Sequence, residues 1–288
     1  LARTAYASKR NKLIGIPKLD DANEAGGPRS RECTLIITEG DSAKSLAVSG
    51  LSIVGRDLYG VYPVQGKMLN VREAATPKVV ENKEIKDLIQ AIGLNPQRNY
   101  ANWETDSGTL RYGKVMLMAD QDPDGSHIKG LFINFLHHLW PNLLKQNGFL
   151  FEFVTPLIKA TKKSASGNEA TTLSFFSMVE YEKWKQKNDA RQWTIKYYKG
   201  LGTNTSAEAK EYFSNLKKHV VQFQWKPEAD ALIDMAFNKK FAAERRSWLL
   251  GYDPTAFVDT SKGTLDYANF INKELIAFSH YDNLRSIP

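Results

Sequence analysis

Three aspartates alternate in Asp120-Gln121-Asp122-Pro123-Asp124-Gly125-Ser126-His127. Negative charge at that density repels itself unless a cation neutralises it. Hard carboxylate oxygens favour magnesium, manganese or calcium over zinc. A second acidic group lies in Thr38-Glu39-Gly40-Asp41-Ser42-Ala43. Both groups follow apolar runs that read as buried strands, and ligands of open α/β sheets gather at the carboxyl ends of strands. Asp41 has a plain alternative as a helix N-cap, which does not account for Glu39. An EF-hand loop matches residues 120–125, but its twelfth position is Leu131 rather than Glu. The segment before it also reads as a strand rather than a helix. Carboxylates from two strand ends suit metal-assisted phosphoryl transfer, in which a cation neutralises charge on the scissile phosphate and the leaving oxygen.

Two other loops carry cations. In Tyr62-Pro63-Val64-Gln65-Gly66-Lys67-Met68-Leu69-Asn70-Val71-Arg72-Glu73, Lys67 and Arg72 can neutralise phosphates. In Tyr197-Tyr198-Lys199-Gly200-Leu201-Gly202-Thr203, glycines beside Lys199 allow the backbone to approach a phosphate. On spacing alone each also reads as a turn with a surface lysine. His127, beside the aspartates, could contact a phosphate or merely open a helix. His137, His138, His219 and His280 have no ligand-like spacing. The single cysteine, Cys33, cannot form an internal disulfide or a multi-cysteine zinc site and reads as a small buried residue.

The elements that must position these groups are partly visible. Residues 33–38 and 113–119 are apolar runs of strand length. Residues 42–48 read as a helix capped by Asp41 or Ser42. Ile128, Leu131, Phe132, Phe135, Leu136 and Leu139 line one face of a helix expected over 126–144. Strand, polar turn and helix thus occur twice in residues 33–145, the pattern of an α/β domain with a parallel sheet. The second half is less regular, with strands expected at 149–154 and 193–198, a helix at 206–218 and a polar loop at 164–172. Residues 1–30 read as a linker, with turn-formers gathered at 20–28.

At 288 residues, two domains are expected. A hydrophobic share of 42% and a charged share of 25% exclude a disordered chain or a fibre. No apolar run is long enough for a transmembrane helix, and no secretory signal is visible. The first residue is Leu, which suggests a piece of a longer polypeptide. Net charge is +7, and residues 156–220 hold twelve Lys/Arg against six Asp/Glu. That surplus suits a polyanionic partner.

Taken together, Glu39-Gly40-Asp41-Ser42-Ala43, Gly66-Lys67-Met68-Leu69-Asn70-Val71-Arg72 and Asp120-Gln121-Asp122-Pro123-Asp124-Gly125-Ser126-His127-Ile128-Lys129-Gly130 resemble the TOPRIM domain of type IIA DNA topoisomerases. The form is similar to eukaryotic topoisomerase II rather than bacterial gyrase, which usually has Ala where Gln121 stands. Ile16-Pro17-Lys18-Leu19-Asp20-Asp21-Ala22, Tyr197 to Thr203, Phe270-Ile271-Asn272-Lys273-Glu274-Leu275 and Asp282 to Pro288 extend the resemblance from about Gly15 to Pro288. It implies a Rossmann-like parallel sheet flanked by helices, with an α+β extension. The implied divisions are a linker at 1–30, TOPRIM at 31–155, a basic extension at 156–260, and at 261–288 a lead-in to a winged-helix domain.

The resemblance also implies a magnesium-dependent enzyme that cleaves and religates double-stranded DNA. It would be homodimeric, nuclear and driven by ATP, with manganese or calcium able to substitute and two metals compatible with the site. By position, Glu39, Asp120 and Asp122 match catalytic metal ligands, and Asp124 matches a supporting acid. Gln65, Lys67, Arg72, His127, Lys129 and Lys199 match positions near DNA. Gln65 departs from the family, which usually has arginine there. The family's nucleophile is a tyrosine preceded by arginine in the winged-helix domain, so Arg111-Tyr112 is a decoy. The nucleophile and the ATPase site are both expected outside this segment. Two rivals are a TOPRIM nuclease or primase-like enzyme acting alone and a non-enzymatic DNA-binding module.

Overall fold

The computed structural model describes residues 13, 15–162 and 170–285. Its strands are β1 (Thr34–Glu39), β2 (Tyr59–Val64), β3 (Lys114–Met118), β4 (Leu150–Phe153), β5 (Ile158–Lys162), β6 (Thr171–Phe175), β7 (Thr194–Tyr197), β8 (Val220–Gln224) and β9 (Thr264–Asp266). The main sheet runs β2-β1-β3-β4-β8-β9. Strands β2, β1, β3 and β4 are parallel; β8 returns antiparallel to β4, and β9 runs parallel to β8. A separate antiparallel sheet has the order β6-β5-β7.

The apolar, β-branched β1 lies between β2 and β3 in a sheet buried on both faces, as parallel sheets are. Alternation sends Leu35 and Ile37 to one face and Ile36 to the other. Helices α1 (Gly40–Val54), α2 (Lys83–Ile92), α3 (Pro123–Leu139), α4 (Met178–Lys187), α5 (Ser206–Ser214), α6 (Ala229–Phe237), α7 (Ala242–Leu250) and α8 (Ile276–Arg285) surround the two sheets. Leu46 and Leu51 of α1 pack with Phe213 of α5 on the Ile36 face. Phe132 and Leu136 of α3, with Ile85 and Leu88 of α2, pack on the Leu35 face. The expected parallel α/β sheet with an α+β extension is the architecture found. None of the described helices is long and apolar enough to cross a membrane.

Several local outcomes differ from these expectations. The helix expected over 126–144 stops at Leu139; Trp140 precedes Pro141, and a residue before proline is pushed out of the helical region. The helix expected over 206–218 breaks at Asn215. Of the polar loop, 164–169 lie outside the described residues, whereas Thr171 and Thr172 begin β6. The stretch 20–28 is packed rather than free: Asp20 bridges Val61, Ala22 and Ala25 are buried, and Asp21 accepts from Arg111 (2.5 Å) and Tyr112 (2.5 Å). Its turn-formers satisfy their backbone groups against the domain instead of water.

Candidate functional site

The register Thr38↔Met118 sets the carboxyl ends of β1 and β3 side by side. Glu39 closes β1, and Gly40 takes φ +72° to turn the chain into α1, a conformation glycine adopts without strain. Asp120 lies just beyond β3. Its backbone N–H donates to Glu39 Oε2 at 3.1 Å, joining the two acids directly. Asp120 Oδ1 accepts from the N–H of Leu201 at 2.7 Å. Asp122 caps α3, its Oδ1 accepting from Gly125 N–H at 2.7 Å. Asp124 meets Lys67 Nζ at 3.2 Å and Arg285 at 3.7 Å. Asp41 does not cap α1; the cap position is Glu39, without a side-chain bond.

Burial raises the Glu39 carboxyl above its ordinary pKa against the pull of the Asp120 N–H, and the charges of Asp120, Asp122 and Asp124 raise it further. Burial raises Asp120 as well, with Asp122 adding to it and the Leu201 N–H opposing. The corner therefore holds more negative charge than its surroundings neutralise. A divalent cation would relieve that repulsion, and the donors are all hard oxygens. The donor chemistry fits such an ion. Among the described residues, no three His, Cys, Asp or Glu side chains already converge on one point. Water or substrate oxygens would have to complete the shell, as is usual for magnesium.

The six residues expected near DNA divide into two groups. Lys199 and Gln65 are exposed, and Lys67 is half-exposed beside Asp124, with its ammonium 4.7 Å from the Phe278 ring centroid. His127 stacks on the same ring at 3.9 Å, and burial pushes its imidazole down to about 4, so it is neutral at pH 7. These four border the acidic corner or the loops beside it.

Arg72 and Lys129 depart from the expectation. Arg72 is committed inward, donating to Asn134 Oδ1 (3.0 Å), Asp234 Oδ1 (2.6 Å) and His137 Nδ1 (2.6 Å). Lys129 is 2% exposed and donates to Glu152 Oε2 and Glu274 Oε2, each at 2.7 Å. A buried charge must be paired, and both cations direct their hydrogen bonds to partners inside the protein. The 197–203 loop also has a use that its composition did not suggest, because Leu201 orients Asp120. A Cβ on Gly200 would lie 2.5 Å from Asp120 Oδ2, so the close approach requires glycine. Phe278, Arg285 and Glu274 lacked any sequence signal of contact with the site, being 140 residues or more beyond it in the chain.

A family model of the Toprim domain matches residues 34–156, and one of the C-terminal associated domain of TOPRIM matches 153–283. Over 286 residues the chain is 56% identical to "DNA topoisomerase 2, mitochondrial" of Dictyostelium discoideum, covering 98% of this chain and 22% of the relative. It is 51% identical to human DNA topoisomerase 2-alpha, covering 100% and 19%. The crystal structure of the Plasmodium falciparum topoisomerase II DNA-binding, cleavage and re-ligation domain superposes with a TM-score of 0.90 at 50% identity, covering 97% of this chain and 37% of that one. This chain belongs to the DNA topoisomerase II family. It spans about a fifth of the length of the curated relatives it matches. Within this topoisomerase II segment, the Toprim part supplies all four acids, the C-terminal associated part supplies Leu201 and Phe278, and Arg285 follows just beyond the matched residues. Tyr112 is wholly buried, donating to Asp21 and accepting from Ala22 N–H at 2.8 Å. That position is closed to a nucleophile.

Proposed function

We propose that this chain forms the acidic side of the DNA cleavage and religation centre of a DNA topoisomerase II. One observation carries the reading: Glu39 and Asp120 meet at adjoining strand ends, with more negative charge than the protein neutralises. A divalent cation held by Glu39, Asp120 and Asp122, with Asp124 behind them, would stabilise the departing 3′-oxygen of a phosphodiester; magnesium is the choice the family resemblance supports.

The remaining work of the chain is to bind and orient. Lys67 and Lys199 offer charge to phosphates, and the exposed Lys67–Asp124 pair is weak enough, at about 0–1 kcal/mol, to be exchanged for a phosphate. Leu201 N–H keeps Asp120 pointing into the corner. The reaction is transesterification. A tyrosine hydroxyl from another part of the polypeptide attacks phosphorus, a phosphotyrosyl bond forms as the P–O3′ bond breaks, and the reverse attack reseals the strand. Coupling to ATP, a homodimeric assembly and a nuclear site of action belong to the same proposal by resemblance. The mitochondrial name of the Dictyostelium relative supplies the rival compartment, which fractionation of cells would decide.

The test is Asp120→Asn in the complete enzyme. Covalent DNA–protein complexes should fall by two orders of magnitude or more, with duplex binding within about twofold of wild type. Undiminished cleavage would remove Asp120 from the centre.

A further inference from the structure

Behind the acidic corner lies a second ionic cluster that the reaction does not use. Lys129 of α3, Glu152 of β4 and Glu274 meet with side chains 2%, 1% and 19% exposed. Glu274 stands on a π-helical turn, Phe270–Leu275; such turns are rare and concentrate at functional sites. Glu274 Oε2 accepts from Lys129 Nζ at 2.7 Å and from Ser126 Oγ at 3.3 Å. Ser126 Oγ also lies 3.0 Å from the carbonyl oxygen of Asp122. A hydroxyl has one proton to give, so Glu274 and the Asp122 carbonyl compete for it.

Stability alone does not account for this cluster. Two carboxylates face one ammonium, and Glu152 Oε1 is buried without a hydrogen-bond partner among the described residues. Apolar side chains of similar volume commonly serve a core as well or better. What the cluster does have is a place. It grips the first turns of α3 from behind, and that helix begins with the Asp122 cap and Asp124. The element that follows the π turn, α8, lays Phe278 against His127 and brings Arg285 to 3.7 Å from Asp124.

We propose that Glu274 is a positioning residue for the acidic loop, acting through Ser126 and Lys129, so that the C-terminal associated segment sets the direction in which Asp122 and Asp124 face. This rests on the cation-binding reading of the loop. The experiment titrates Mn2+ into the 288-residue chain with a nicked duplex present, following free metal by electron paramagnetic resonance. Ser126→Ala and Glu274→Gln should each weaken Mn2+ binding about tenfold, the scale for groups that support metal ligands. The double variant should be no worse than the weaker single one, because both act along one path. Ser126→Thr, which keeps the hydroxyl, should restore affinity.

A purely structural cluster would lower the melting temperature and leave Mn2+ affinity unchanged, and that result would overturn the proposal. Should Glu274→Gln fail to fold, Ser126→Ala decides alone, since it strands no charge. An Asp120→Asn control separates two kinds of failure. If the control binds Mn2+ like wild type, or wild type binds none, the cation reading falls and this inference with it. If the control loses binding while Ser126→Ala keeps it, only the positioning role falls.

Discussion

Helix α3 passes two clusters of excess carboxylate with opposite outcomes. At its N-terminus, Glu39, Asp120, Asp122 and Asp124 face solvent or a half-buried corner, and the nearest cation, Lys67, is half-exposed. One turn further in, Glu152 and the partly buried Glu274 close on Lys129, which is itself almost wholly buried. Burial pulls the Lys129 pKa down, but the two carboxylates outweigh it and hold the ammonium charged. The inner cluster therefore brings its own cation, and the outer one leaves a place for a cation from solution. Excess negative charge marks a ligand site only where the protein has not already answered it.

Removing the cation from the inner cluster should have the largest effect. Lys129→Met leaves two carboxylates buried without their partner and should cost about 3–5 kcal/mol, measured by urea unfolding. A loss below about 1 kcal/mol would mean that water already reaches the cluster, and the contrast with the outer corner would disappear.

Crowding the outer corner comes next. Gly200→Ala drives a methyl toward Asp120 Oδ2, while its backbone, at φ 175°, suits any residue. Mn2+ binding should weaken several-fold with little change in unfolding midpoint. A large stability loss with intact metal binding would make the loop structural instead.

The metal-free pH dependence should sharpen the comparison. Glu39 and Asp120 hold protons more tightly folded than unfolded. Their contribution therefore disfavours folding at neutral pH, and this penalty fades as pH falls through their raised folded pKa values. Glu39→Gln/Asp120→Asn should be more stable than wild type at pH 7.5, by on the order of 0.5 kcal/mol. The advantage should shrink as pH falls toward the ordinary carboxylate range, about 4–4.5. A pH-independent difference would remove the repulsion on which the cation site is argued.

The smallest effect concerns the rim. Gln65→Arg should steepen the salt dependence of DNA binding by up to about one unit of log–log slope. Equal slopes would place residue 65 away from the phosphates.

How far the sequence disclosed this arrangement depends on the range of the interaction. The strands and the acids at their ends were legible, because an apolar run followed by a carboxylate is a local pattern. The register that joins Asp120 N–H to Glu39 was not, since it depends on pairing 81 positions apart. Lys129 was expected near DNA because it follows the acidic motif, and nothing local signalled its burial. Yet Ile128, Leu131, Phe132, Ile133, Phe135 and Leu136 are all buried, so this helix has almost no free face. Its partners Glu152 and Glu274 lie 23 and 145 positions away. The inward pairing of Arg72 was hidden in the same manner, with Asp234 162 positions distant.

The β4–β8 pairing carries a practical consequence for anyone cloning this region. The Toprim family model ends at residue 156, inviting truncation there. Such a product would leave the outer edge of β4 with no strand to pair with, and would uncover Met116, Met118 and Phe153, now shielded by Phe213 and its neighbours. A bare strand edge beside a greasy patch is a recipe for self-association. The smallest soluble piece should therefore reach at least through β9.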